Sequence, residues 1–158
     1  MVLGPSNVPK TKGISRIHNG HWQFEEQMGD GVGFIYVIRD MYMEKLYLGK
    51  KQYRVMRGVN KGKESNWKKY ISSSKILQET FMNRPDEEFE FICLEEYKTK
   101  GGLRYAETWS LCYVDALCNS LWLNGQIEKI TWKVTEPVTE RHKANLNKIL
   151  NWEDFKCK

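Results

Sequence analysis

GFIYVIRD (Gly33–Asp40) and KLYLGKKQY (Lys45–Tyr53) are the two stretches whose reading decides the fold. The first, introduced by Gly31 and Gly33, is a run of β-branched and aromatic residues, which reads as a strand. DMYMEK between the two is polar enough to turn, and the second run resumes the strand pattern. Two strands this close in sequence pair most economically as an antiparallel hairpin.

Working outward, Arg54 to Asn66 is basic and glycine-containing, with MRGVNKGKESN as its loop-like centre. Ser65 or Asn66 can cap a short turn carrying Trp67, Lys68, Lys69 and Tyr70. After serines 72–74, KILQETF has helical spacing, and Pro85 ends that helix. EFEFICLEEY alternates as a third strand joining the hairpin, and Gly101-Gly102 marks a break. Leu103 to Leu121 repeats its apolar residues near i, i+3 and i+4, predicting the best helix of the chain. LNGQIEKITWKV reads as a turn and a short extended piece, and VTERHKANLNKIL as a polar helix after Pro137. The expected fold is α/β in the α+β sense: a small sandwich with a central three-stranded antiparallel sheet flanked by helices. Its expected parts are an N-terminal arm (1–30, partly ordered through Trp22 and Phe24), a core (31–134) and a C-terminal helical tail (135–158).

With 158 residues the chain suits one domain, and a 41% apolar share supports a packed core. No apolar run approaches the roughly 20 residues that span a bilayer. The first fifteen residues lack an apolar signal core, so a cytoplasmic protein without a membrane partner is expected. Cys93, Cys112, Cys118 and Cys157 form no CxxC pair, and Cys93 and Cys112 read as small core residues. The net charge of +5 is unevenly spread. Arg39 to Lys75 holds eleven Lys or Arg against three acids, a local charge of +8, which suits a polyanion on one face. Glu79 to Glu96 carries seven acids against one arginine.

Tyr36 ends GFIY and Tyr47 begins YLG on the next strand, eleven positions later. A basic segment, a serine-started helix, a third strand and a glutamate inside the next helix (RYAETW, Glu107) follow in order. This series resembles the GIY-YIG nuclease family over roughly residues 31 to 127, with Leu for Ile in the second element. YLGKK, then SNWKKYISSS, then an Ala-Glu helix is similar to small phage-encoded members with the pattern YIGKK, then W..Y.GSS.

A phosphodiester resists hydrolysis because its charge repels nucleophiles and its leaving oxygen must accept charge. Cutting it requires a polarising cation, a base for the attacking water and donors for the developing charge. The resemblance implies a metal-dependent DNA endonuclease in which Glu107 is the single metal ligand, for Mg²⁺ or Mn²⁺. It implies that the Tyr36 and Tyr47 hydroxyls face one phosphate, either of them serving or positioning the base. Gly49 lets backbone approach substrate, and by strand alternation Lys51 shares the face of Tyr47 whereas Lys50 points away. Lys51 is thus a second candidate base or phosphate clamp.

The family's arginine corresponds to Arg54 or Arg57, with Arg54 favoured because it adjoins the strand; Lys68 or Lys69 are the substitutes. No histidine stands near it, as His18, His21 and His142 lie outside the core pattern; Tyr70, or else Tyr53, takes that place. The family's late asparagine corresponds to Asn124, which a type I′ turn would equally explain. Lys50, Arg57, Lys61, Lys63, Lys68 and Lys69 are candidate DNA contacts, and Trp67 a candidate for base stacking, although tryptophans are more often packed. Two other functions share this fold: a catalytically silent nucleic-acid-binding module, and a protein-binding inhibitor using the acidic segment 86–96. A homodimer would compensate for the absence of a separate DNA-reading domain.

Overall fold

A computed structural model describes residues 19–151. Strands β1 (Gly33–Asp40), β2 (Lys45–Gln52) and β3 (Phe89–Tyr97) form one antiparallel sheet in the order β2-β1-β3. All eight β1 residues are buried because this strand is central and both sheet faces are covered, which explains its near-continuous apolar run. The helices are α1 (Lys75–Met82), α2 (Lys100–Tyr113) and α3 (Glu140–Leu150). Each begins at a hydroxyl cap: Ser74, Thr99 and Thr139 accept from Leu77, Gly102 and His142 amides. The expected α+β sandwich is the observed fold.

The alternation of β1 divides the core. Ile35 and Val37 face Leu46, Leu48 and Leu94, with Leu103, Ala106, Leu146 and Ile149 of α2 and α3 packed over them. Phe34, Tyr36 and Ile38 face an aromatic layer that contains Trp22, Tyr53, Trp67, Phe89 and Phe91. Residues 19–30, read as the end of an arm, belong to this layer. Trp22 is fully buried, its indole N–H donates to the Trp67 carbonyl at 2.6 Å, and Gln23 bridges to Ile92. Too few apolar residues surround Trp22 in sequence for a periodic signal, yet one tryptophan buries enough surface to hold the segment. The remainder of the arm, with His18, and the end of the tail, with Cys157, lie outside the described residues.

Helix α2 stops at Tyr113 rather than Leu121. Asp115 takes a left-handed conformation (φ 56°), and the Ala116 amide donates back to the Leu111 carbonyl at 2.9 Å. The segment after it runs along the outer edge of the sheet, with Leu46 and Leu121 to Leu123 exchanging backbone hydrogen bonds. Cys93 is buried as expected, whereas Cys112 is exposed, since the buried stripe of α2 runs through Leu103, Ala106, Ser110 and Leu111. Among the described residues no helix is long and apolar enough to cross a membrane.

Candidate active site

The pairing of β1 with β2 places Tyr36 opposite Gly49 and Ile38 opposite Tyr47. The Tyr36 ring crosses over Gly49: a Cβ built there would meet the phenolic hydroxyl and lie 2.6 Å from Cζ. That glycine is therefore set by the tyrosine across the sheet as well as by any approaching substrate. The Tyr36 and Tyr47 rings stack with centroids 6.4 Å apart, and Tyr70 meets Tyr36 edge-on at 6.2 Å.

These three rings open onto a cleft of about 470 Å³ at the β2 edge of the sheet. Lys50, Lys51 and Arg54 line it from β2 and its extension, and Glu107 from α2. Lys51 follows the Tyr47 face as alternation predicts, its ammonium 4.0 Å from the Tyr70 ring centroid. Lys50 leaves on the opposite face, where it meets α2: its Nζ donates to Glu107 Oε1 at 2.9 Å and to Glu128 Oε1 at 3.1 Å. Because β2 is an edge strand, side chains of both faces reach one cleft.

Burial pushes the Tyr36 phenol well above its ordinary value, with Tyr47, Tyr70 and Glu107 adding to the effect. Burial also raises Tyr47 and Tyr70, partly offset by Ser73, while Glu107 raises both further. Lys51 is lowered by burial. Desolvation would likewise lower Lys50, but the Glu107 and Glu128 carboxylates bring it to a net rise. The phenols thus hold their protons more firmly than free tyrosine, and of the two cleft lysines Lys51 is the one whose charged form burial disfavours on balance.

Other expected site residues are placed elsewhere. Trp67 is buried at 3% exposure, its ring against Phe34 and Tyr53 and its Nε1–H donated to Glu64 at 2.9 Å, so no free face remains for a base. The Asn124 amide is spent on the edge of β2, accepting from the Leu48 N–H at 3.0 Å and donating to its carbonyl at 2.7 Å. Arg57 lines a neighbouring depression with Arg104 and Glu128, while Lys61, Lys63, Lys68 and Lys69 are exposed outside the cleft lining. Tyr53 is buried with its hydroxyl on Glu96, so Tyr70 is the tyrosine that reaches the cleft. In the acidic segment 86–96, Asp86 and Glu87 are exposed, and the other acids are engaged within the fold. Glu88 pairs with Arg84, Glu90 with Arg39 and Glu95 with Arg141, and Glu96 binds the Gly29 and Asp30 amides.

Ser73 and Arg104 line the cleft without having been singled out from sequence. Arg104 precedes Glu107 by three positions, one turn on the same helix face, and that spacing is a readable signal. Ser72, where the similar pattern W..Y.GSS has glycine, adopts φ 142°, a conformation that suits glycine and turns Ser73 toward Tyr47 and Tyr70.

A family model described as "Putative endonuclease segE, GIY-YIG domain" matches residues 17–127. The chain belongs to the GIY-YIG endonuclease family. It is a nuclease, hydrolysing DNA phosphodiester bonds. No curated protein and no solved structure matches the chain. The match begins at residue 17 and so includes the packed Trp22 segment. GIY-YIG nucleases generally depend on a divalent metal. The Glu107 carboxylate, 17% exposed toward an open cleft ringed by hydroxyls, is a hard-oxygen donor that fits such an ion.

Proposed function

We propose that the cleft is a single-metal endonuclease site in which Glu107 is the metal ligand and Tyr36, Tyr47, Tyr70, Lys51 and a cleft arginine act on one phosphate. The observation that carries this reading is the convergence of two phenols from paired strands and one helix carboxylate on a cleft that Lys50, Lys51, Arg54 and Arg104 also line. A Mg²⁺ or Mn²⁺ ion bound there would polarise the phosphate and activate water. The raised phenols of Tyr36 and Tyr47 would stay protonated and donate hydrogen bonds to the phosphoryl oxygens as their charge grows. Lys51, half-buried and lowered, would accept the proton of the attacking water. Arg54 lines the cleft and would add a charge-assisted contact, although its Nη1 already donates to the Gly62 carbonyl at 3.1 Å. The exposed Lys61, Lys63, Lys68 and Lys69 would follow the DNA backbone beyond the cut site. One cleft cuts one strand at a time, so a homodimer or two successive nicks would be needed for a double-strand break.

Purified protein should nick supercoiled DNA only with Mg²⁺ or Mn²⁺ present, and Glu107→Ala should bind DNA without cutting it. Cutting that persists in Glu107→Ala would remove the assignment. Binding without cleavage by the unaltered chain, across metals and across linear, supercoiled and branched DNA, would favour a silent nucleic-acid-binding module instead.

A further inference from the structure

Glu128 lies just past the residues that the family model matches, and its two carboxylate oxygens are divided between two cations of the cleft. Oε1 accepts from Lys50 Nζ at 3.1 Å. Oε2 accepts from Arg104 Nε at 2.8 Å, with Nη2 of the same guanidinium also at 2.8 Å. One carboxylate oxygen thus rests on the Nε and Nη2 edge of a guanidinium and the other on an ammonium, charge-assisted contacts that the two non-bridging oxygens of a phosphodiester can also make.

The pairing is anchored at one end and loose at the other. The Glu128 carbonyl accepts from Thr108 Oγ1 at 2.9 Å, which fixes the backbone to α2. The side chains of Arg104 and Glu128 are 44% and 38% exposed, so water screens their attraction and the carboxylate is easily displaced. Arg104 stands one helical turn before Glu107, so an anion held by it would lie beside that carboxylate.

We propose that Arg104 and Lys50 form the phosphate grip of the cleft and that Glu128 is an internal phosphate mimic, which a DNA backbone phosphate displaces on binding. Arg104 then fills the cationic role that the sequence pattern assigned to Arg54 or Arg57. Lys50 remains paired with Glu107 when Glu128 leaves. The proposal rests on the reading of the cleft as the nuclease site.

The test is equilibrium binding of a short duplex DNA, followed by fluorescence anisotropy in EDTA across a salt series, with thermal melting of each variant as a folding control. Glu128→Gln keeps the side chain's shape and removes its charge; it should tighten binding about three-fold at low salt. Glu128→Ala should tighten it at least as much. Arg104→Gln should weaken binding about five-fold or more and flatten the plot of log affinity against log salt by about one unit. In the double variant, Glu128→Gln should tighten binding less than it does alone, because one of the two cations it uncovers is gone. Unchanged or weaker binding by a normally melting Glu128→Gln, or simple additivity in the double variant, overturns the proposal while leaving the nuclease reading intact. An unaltered chain that binds no duplex at all overturns both.

Discussion

The Lys50 ammonium lies 2.9 Å from Glu107 Oε1, so the carboxylate read as the metal ligand is bonded to a cation of the protein itself. A divalent ion on Glu107 must compete with that ammonium. Lys50→Met should therefore tighten Mn²⁺ binding about five-fold in the absence of DNA, measured by electron paramagnetic resonance titration. Mn²⁺ affinity that stays constant or falls would separate Glu107 from the metal.

Tyr36 is packed at 1% exposure but brings its hydroxyl to the cleft. Tyr36→Phe keeps the ring and should change stability by no more than about 1 kcal/mol while slowing cleavage about a hundred-fold. Gly49→Ala, which forces that ring to move, should cost about 1–3 kcal/mol as well as activity. Chemical denaturation beside single-turnover cleavage distinguishes them; equal losses of stability and rate in Tyr36→Phe would make this tyrosine a packing residue.

Lys51 is lowered by burial, and it accepts a proton only when neutral. Below its folded pKa the neutral fraction rises with pH, so the cleavage rate should climb up to about tenfold per pH unit before levelling off. Lys51→Arg should remove that rising limb. Identical profiles for the two proteins would exclude Lys51 as the base.

His142 is fully buried between two hydroxyls. Ser110 Oγ donates to the Ala106 carbonyl at 2.7 Å and so accepts from Nε2–H at 2.6 Å, which leaves Nδ1 to accept from the Tyr97 hydroxyl at 2.9 Å. This arrangement requires the neutral ring, and burial lowers His142 from 6.5 to about 4. Unfolded chains therefore bind the extra proton first as the pH falls. The stabilisation is fully present above about pH 6.5 and is lost progressively toward about pH 4, amounting to roughly 3 kcal/mol. His21 is also lowered to about 4 by burial, against a raising bond to the Tyr70 carbonyl, and adds an effect of the same sign. Urea midpoints measured from pH 7 to 4 should fall less steeply in His142→Gln; an unaltered slope would refute the assignment.

Asn124 pairs with the Leu48 backbone through both ends of its amide. Asn124→Ala should cost about 1–2 kcal/mol in denaturation and leave DNA affinity of the folded protein unchanged. A selective loss of affinity at constant stability would return Asn124 to the DNA interface.

Local pattern was sufficient for the hairpin, the third strand, the helix after the serines, the polar helix after Pro137 and the pairing of the two tyrosine elements. The long helix instead starts at Lys100 and runs through Gly101-Gly102, where the pattern put a break. β-Branched runs, helical spacing and serine or threonine caps act over a few residues and leave a direct trace in sequence. The order of Tyr36, Tyr47 and Glu107 was also readable, because each sits in its own recognisable element. Tertiary structure alone decided what those elements share. Whether Trp67 stacks on a base or packs edge-on against Phe34, as Trp22 also does, depends on which side chains arrive from distant parts of the chain. Whether Lys50, aimed away from the Tyr47 face, still reaches the cleft depends on α2 standing across the β2 edge. Glu128 carries no motif and gains its place from a segment that returns to α2 after a turn. Contacts between residues far apart in sequence are set by packing and charge pairing, and those forces do not depend on order along the chain.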